Sequence, residues 1–189
     1  LTERNPNPYD GEPLYNLGLS LKYQGKTEEA YDFFYKACWN AAWQDAGYYS
    51  LAQLSVARGD WEEALYEIDK SLVRNWHNLR GRHLKATILR HLGRKEDALS
   101  LIEESLRMDR FNFGCGFEKF LLTGNDADWQ TLVSLMRPEA HNYEELALDY
   151  ASAGCWEEAL DVVDKVICMN VLGQTILHYY KSWFLICLD

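Results

Sequence analysis

The pattern that decides the fold is GDWEEA at residues 59–64, and it recurs as GKTEEA at 25–30, GRKEDA at 93–98 and GCWEEA at 154–159. The glycines at 25, 59 and 93 are 34 residues apart, and the step from 93 to 154 is 61 residues, or 34 plus 27. A fixed period of this length indicates a repeat protein, and the last interval indicates that one repeat is shortened.

Each copy has the chemistry of a turn between two helices. Glycine ends a helix in the left-handed conformation, and an acidic pair is favourable at the positive N-terminal end of the next helix. Asp60 followed by Glu63 is also close to a capping box. Before the first copy, Leu14, Leu17 and Leu21 have helical spacing. The repeating unit is therefore predicted to be a helix pair.

Small and large residues recur around the pattern as a stacked helical core requires. Small side chains allow two helices to cross closely, and large ones fill the space beyond. The small positions are Gly18, Ala52, Ala86 and Ala147 on the first helix and Ala30, Ala64, Ala98 and Ala159 on the second, while Phe34, Ile68, Ile102 and Val163 are the large ones. These residues are predicted to form the core.

Period, turn glycine and small positions together resemble the tetratricopeptide repeat family. The resemblance implies an all-α fold, a right-handed α-α superhelix of about five helix pairs plus a C-terminal helix. The predicted repeats are 11–44, 45–78, 79–112, a degenerate repeat at 113–139, 140–173 and a terminal half-repeat at 174–189, preceded by a linker or the tail of an earlier repeat at 1–10. The sequence of residues 75–81 also resembles that of bacterial proteins of unknown function in which such repeats follow a β-sandwich domain. This resemblance implies a multidomain parent.

Composition limits the classes of partner. The chain has 189 residues, of which 48% are apolar, and 19 Lys and Arg against 29 Asp and Glu give a formal charge of −10. This charge opposes binding to nucleic acid and to anionic membranes. The sequence also contains no stretch of 18 apolar residues, the length that would suggest membrane insertion. Five scattered cysteines are expected to be reduced thiols, which favours the cytoplasm, although the compartment stays open.

We predict no catalytic residues, no metal site and no cofactor. The five histidines form no metal-ligand spacing, and the sequence contains no nucleophile elbow, phosphate-binding glycine loop or dinucleotide fingerprint. The repeated acidic pairs are assigned to helix-end electrostatics because they open every second helix. If the parent protein is an enzyme, its activity belongs to a neighbouring domain that this segment positions.

One stretch departs from the acidic average. Residues 74–95 contain seven Arg and Lys, three His and no acid. Two interpretations stay open: a basic surface for an acidic or phosphorylated segment, or a set of side chains that pair with acids of neighbouring repeats such as Glu62, Glu96 and Asp97.

The resemblance also implies where a partner binds, because the first helix of each pair faces a concave groove in this family. The candidate groove residues are Tyr15, Tyr49, Gln53, Arg80, His83 and Arg90. Relatives that clamp a chaperone's carboxyl tail use positions occupied here by Tyr15, Leu19, Ser50, Arg80 and Leu84, and only Arg80 fits. The leading hypothesis is therefore a protein-interaction scaffold that binds a different peptide or protein segment, with an acidic one left open.

The alternative is architectural. The segment from residue 174 is apolar on more than one side, whereas repeat proteins normally end on a polar capping face. This helix is expected to pack against another domain of the parent chain or to self-associate through Trp183 and Phe184.

Overall fold

The computed structural model describes residues 10–188, so the predicted linker or earlier repeat at residues 1–10 lies outside the described residues except for Asp10. The described chain folds into eleven α-helices and a short 3-10 helix at Ala41–Trp43. The α-helices are α1 (Glu12–Tyr23), α2 (Thr27–Ala37), α3 (Gln44–Arg58), α4 (Trp61–Arg74), α5 (Leu79–His91), α6 (Lys95–Met108), α7 (Phe113–Thr123), α8 (Asp126–Met136), α9 (Ala140–Ser152), α10 (Trp156–Cys168) and α11 (Thr175–Leu188). The predicted all-α fold class, with five helix pairs and a C-terminal helix, is confirmed.

The helices form two compact units, the first ending at Gly81 and the second beginning at Arg82, within the first turn of α5. In the first unit the core contains Leu21, Phe34, Cys38, Leu51 and Leu54. Gly18 must be small, because a Cβ at that position would lie 2.7 Å from ring carbons of Phe34. The buried small positions thus allow the close crossings that the sequence predicted.

The second unit has a core of the same kind with more aromatic rings. Phe117 of α7 and Tyr150 of α9 are buried with their ring centroids 6.0 Å apart. In α10, Ala159 and Val163 are fully buried, as the repeat pattern predicts. Apolar burial of this extent is the main favourable contribution to folding.

The turns between helices follow the predicted chemistry. The glycines at 25, 59, 93 and 154 have φ between 72° and 79°, and Gly124 in the degenerate repeat has φ 62°, so each reverses the chain in the left-handed conformation. The predicted capping role of Asp60 is wrong: its side chain makes no capping hydrogen bond, and its carboxylate lies 3.3 Å from Nε of Arg58 instead. The adjacent cation competes for the carboxylate that a capping box would use.

Candidate functional site

On α1 and α3 of the first unit lie three of the predicted groove residues. Tyr15 of α1 is partly exposed, its ring packs against Phe34 and Trp43, and its hydroxyl accepts a hydrogen bond from Ser50 at 3.4 Å. On α3, the amide of the buried Gln53 donates to the hydroxyl of the partly exposed Tyr49 at 3.3 Å. The structure therefore joins Tyr49 to Gln53 and leaves part of both tyrosines exposed.

A lysine joins this cluster. Nζ of Lys22, in the last turn of α1, donates to Oε1 of Gln53 at 2.8 Å. Burial lowers the pKa of Lys22 from 10.5 to about 8. We call Lys22, Tyr49 and Gln53 the Lys22 cluster. Arg80, also predicted as a groove residue, lies at the start of α5 and is exposed.

The groove hypothesis expects His83 and Arg90 to be accessible to a partner, but in the structure both pack against other helices of the second unit. His83 is only 5% exposed, and its ring stands edge-on to Tyr150 with centroids 4.6 Å apart. Burial also lowers the pKa of His83, so the neutral ring is favoured. This histidine supports packing in the second unit, and direct contact with a partner would require the surrounding helices to open.

Arg90 is the cation of a buried network centred on Glu118 of α7. Arg90 donates to this carboxylate through Nε at 2.7 Å and Nη2 at 3.2 Å, Tyr150 donates its hydroxyl at 2.7 Å, and Thr87 donates at 3.0 Å. Glu118 itself is fully buried. Burial alone would lower the pKa of Arg90, but the charge of Glu118 raises it above its ordinary value. The network joins α5, α7 and α9.

Glu158 of α10 gives Arg90 a second carboxylate. Its Oε1 lies 2.7 Å from Nη2 of Arg90 and 2.7 Å from Nε2 of His91. Although burial alone would raise the pKa of Glu158, hydrogen bonds from His91 and Arg90 lower it to about 2. The second acid of the GCWEEA copy therefore has a tertiary partner in addition to its place in the first turn of α10.

This pKa predicts how stability depends on pH. A depressed folded-state pKa means that Glu158 stabilises the fold above its ordinary pKa of 4.5, and that this contribution is lost as the pH falls toward 2. The full contribution is roughly 3 kcal/mol, on the basis of 1.36 kcal/mol per pKa unit. We expect urea unfolding to show Glu158→Gln less stable than wild type at pH 7 and the difference to shrink between pH 4.5 and 2. A difference independent of pH would contradict this role.

Three arginines of the basic stretch, Arg82, Arg90 and Arg94, form ion pairs within the second unit. Nε of the fully buried Arg82 donates to Ser105 at 2.7 Å, and its Nη2 lies 3.0 Å from Glu104. Arg94 pairs with Asp97 at 2.7 Å. These contacts favour internal pairing of the basic stretch. Of the acids named in the sequence analysis, Asp97 takes part, but Glu104, Glu118 and Glu158 do so as well.

Sequence reasoning missed Glu118, yet a signal was present. It is the only acid in the segment FGCGFEKFLLT of α7, whose other residues apart from Lys119 and Thr123 are glycine or apolar, and it lies six residues before the turn glycine at 124. Gln53 lies six residues before Gly59, so both occupy the same repeat position. A single carboxylate at a repeat position within an apolar helix predicts a buried ion pair.

The C-terminal helix offers a second surface. Phe184, one of the two residues predicted to mediate self-association, is buried and contacts Trp156 and Tyr180, so its ring is not exposed on the surface of α11. Trp183 is 44% exposed. The other exposed apolar residues of α11 are Ile176, Tyr179, Leu185, Ile186 and Leu188. Their clustering on one helix is the observation that keeps the architectural alternative open.

The described residues offer neither a membrane-spanning helix nor a metal cluster. Between Asp10 and Leu188, no helix has both the length and the apolar character needed to cross a membrane. Within the same part of the chain, no group of three or more His, Cys, Asp or Glu residues is placed to hold a metal ion.

Comparison with known proteins identifies the fold. A family model described as "Tetratricopeptide repeat" matches residues 11–38. No curated protein sequence matches the chain. Among solved structures, YrrB, described as a TPR protein with an unusual peptide-binding site, is 19% identical, with a TM-score of 0.61 over 96% of this chain and 95% of its own.

Two other solved structures are similar. TTC0263, a thermophilic TPR protein of Thermus thermophilus, is 19% identical, with a TM-score of 0.59 over 93% of this chain and 99% of its own. A tetratricopeptide repeat protein from Parabacteroides merdae is 21% identical, with a TM-score of 0.63 over 88% of this chain and 68% of its own. At these identities the likeness concerns the fold, and it agrees with the resemblance carried by the GDWEEA repeats.

Proposed function

We propose that this chain, which has the tetratricopeptide repeat fold, is a protein-interaction scaffold that binds a segment of another protein on the first helices of its repeats. The observation that carries the proposal is that Tyr15 of α1 and Tyr49 of α3, both predicted to face the groove, are partly exposed. Tyrosine is enriched at binding hot spots because it combines a large contact area with a polar hydroxyl.

The similar structures support a binding role without naming a partner for this chain. YrrB is described as having a peptide-binding site, and another similar structure is a complex of Cut9 with Hcn1. In our proposal Tyr15, Tyr49 and Arg80 contact the partner. Gln53, His83 and Arg90 act indirectly, because their side chains hold neighbouring helices together. The proposal assigns no catalytic role to the chain.

The test is affinity capture from a lysate of the source cells, read by quantitative mass spectrometry. The test variant combines Tyr49→Ala with Arg80→Glu. Its control combines Tyr66→Ala with Arg74→Glu, which makes the same chemical changes at exposed positions of the second helix α4. We expect the test variant to lose about tenfold of a captured protein and the control to retain it, since a few central residues carry most binding energy.

A third variant, Ile186→Lys, addresses the architectural alternative, because Ile186 is 73% exposed on α11. Capture that is lost only in this variant, or a mass that rises with concentration in wild type and not in Ile186→Lys, would favour packing through α11. Equal capture by all variants would contradict the groove proposal.

A further inference from the structure

His83 of α5 occupies the repeat position that Tyr15 and Tyr49 occupy in the two preceding repeats. A neutral phenol gains no proton as the pH falls, whereas an imidazole ring ordinarily gains one at about pH 6.5. The second unit therefore has a group that can become charged in mild acid at a position where the first unit has phenols.

The ring of His83 is enclosed by two other helices. A Cβ at Gly114 of α7 would overlap Cγ and Nδ1 of the ring, so the glycine backbone lies directly against it. On α9, Tyr150 stands edge-on to the ring with centroids 4.6 Å apart. Nε2 is buried, and it has no hydrogen-bond partner among residues 10–188, the part of the chain that the structure describes. Because a protonated ring carries hydrogen on both nitrogens, protonation would bury a charged donor that lacks an acceptor.

Charged groups on four helices act on this ring. They are Arg90 of α5 itself, Glu118 of α7, Asp149 of α9 and Glu158 of α10. Burial is the largest influence and lowers the pKa of His83 below its ordinary value of 6.5. The three carboxylates favour the charged ring and Arg90 opposes it, so together they leave the neutral ring favoured.

The carboxylate of Glu118 is already engaged by other donors. Its Oε1 accepts from Tyr150 at 2.7 Å and from Thr87 at 3.0 Å, and its Oε2 accepts from Nε of Arg90 at 2.7 Å. A charged His83 would compete with these donors for the same oxygens. The closed packing therefore favours the neutral ring, whereas an opened packing, in which water reaches the ring, favours the charged one.

We propose that His83 is a pH-sensitive contact that keeps α5 packed against α7 and α9 at neutral pH and loosens these helices when its ring is protonated in mild acid. The contribution of the neutral ring to stability is fully present above pH 6.5, and it is lost as the pH falls from there toward the lowered pKa of the folded state. Loosening would also expose a predicted groove residue that the closed structure buries. The inference does not depend on the proposed function.

Hydrogen exchange of the whole chain, corrected for the intrinsic effect of pH on amide exchange, measures the opening of each helix. If opening takes up one proton, its equilibrium constant should rise about tenfold between about pH 7.5 and 5.5. We expect this rise for amides of α5, α7 and α9. The first unit contains one histidine, the exposed His77, so amides of α1 to α3 should change by less than about twofold.

A variant and its control assign the effect to one ring. His83→Gln places a neutral amide at this position, so its opening should be independent of pH within about twofold. The matched control is His141→Gln, which removes an exposed histidine from α9 and should keep the tenfold rise of wild type.

NMR titration of the assigned imidazole resonances in wild type provides a test that requires no variant, so the proposal stays testable even if His83→Gln fails to fold. We expect His83 to titrate with a pKa below 6.5. A pKa of 6.5 or above, an equal rise of opening in both units, or a wild-type pH dependence in His83→Gln would each overturn the proposal.

Discussion

Glu118→Leu is expected to destabilise the second unit by about 3–5 kcal/mol, the cost of removing one partner from a buried ion pair. The carboxylate accepts hydrogen bonds from Arg90, Tyr150 and Thr87, and its side chain is fully buried. Leucine would leave the Tyr150 hydroxyl and Nε of Arg90 without their acceptor in a region of low dielectric constant, while Nη2 of Arg90 keeps Glu158 and Thr87 keeps the carbonyl of His83. Urea unfolding followed by circular dichroism measures the loss.

The matched control is Glu103→Leu, because Glu103 is exposed on α6 and carries the same charge. Its effect is expected to stay within about 0.5 kcal/mol, as for most surface substitutions. Glu118→Gln should fall between the two, since the amide keeps the shape and one acceptor oxygen. Equal unfolding midpoints for the two leucine variants would show that the network contributes nothing to stability.

The features that the sequence predicted best are those that recur at a fixed spacing. A turn glycine, an acidic first turn and a small crossing residue are local signals, and their repetition removes the ambiguity that each has alone. Phe34, Ile68, Ile102 and Val163 occupy one repeat position, and all four are fully buried. In the degenerate repeat, α7 likewise ends at a glycine in the left-handed conformation, Gly124.

The candidate site was harder to predict because exposure depends on neighbours that are distant in sequence. Arg90 and Glu158 are 68 residues apart, and no local pattern joins them. A family groove position specifies which way a helix faces, but not whether an acid from another helix already occupies that face. His83 and Arg90 were therefore expected to be accessible, whereas Glu118 and Tyr150 pack against them within the second unit.

Repeat comparison recovers part of what position alone missed. Lys22 and Arg90 are equivalent by their distance from a turn glycine, and so are Gln53 and Glu118. A comparison of the two pairs predicts one contact between a cation and a neutral amide and one between a cation and a carboxylate. The structure shows the first as Lys22 with Gln53 and the second as Arg90 with Glu118. Variation between repeats thus changes the chemistry of an inter-helix contact, while what the repeats share specifies the fold.

The close approach of α5 and α7 leads to a second large effect, because Gly114→Ala should strongly destabilise the chain. A Cβ at residue 114 would overlap the buried ring of His83, which is packed edge-on against Tyr150. Alanine favours a helix over glycine by about 1 kcal/mol, but overpacking a rigid core typically costs about 1–3 kcal/mol. We expect a net loss of about 2 kcal/mol, measured by urea unfolding.

Gly116→Ala is the control on the same helix, where the added Cβ would lie 3.1 Å from Cδ1 of Leu132, the end of a flexible side chain. That variant should be neutral or slightly stabilising, because helix propensity then dominates. The double variant Gly114→Ala with His83→Ala should lose less stability than the sum of its single variants, since removing the ring makes room for the new methyl group. Additive losses would mean that residue 114 is constrained by something other than His83.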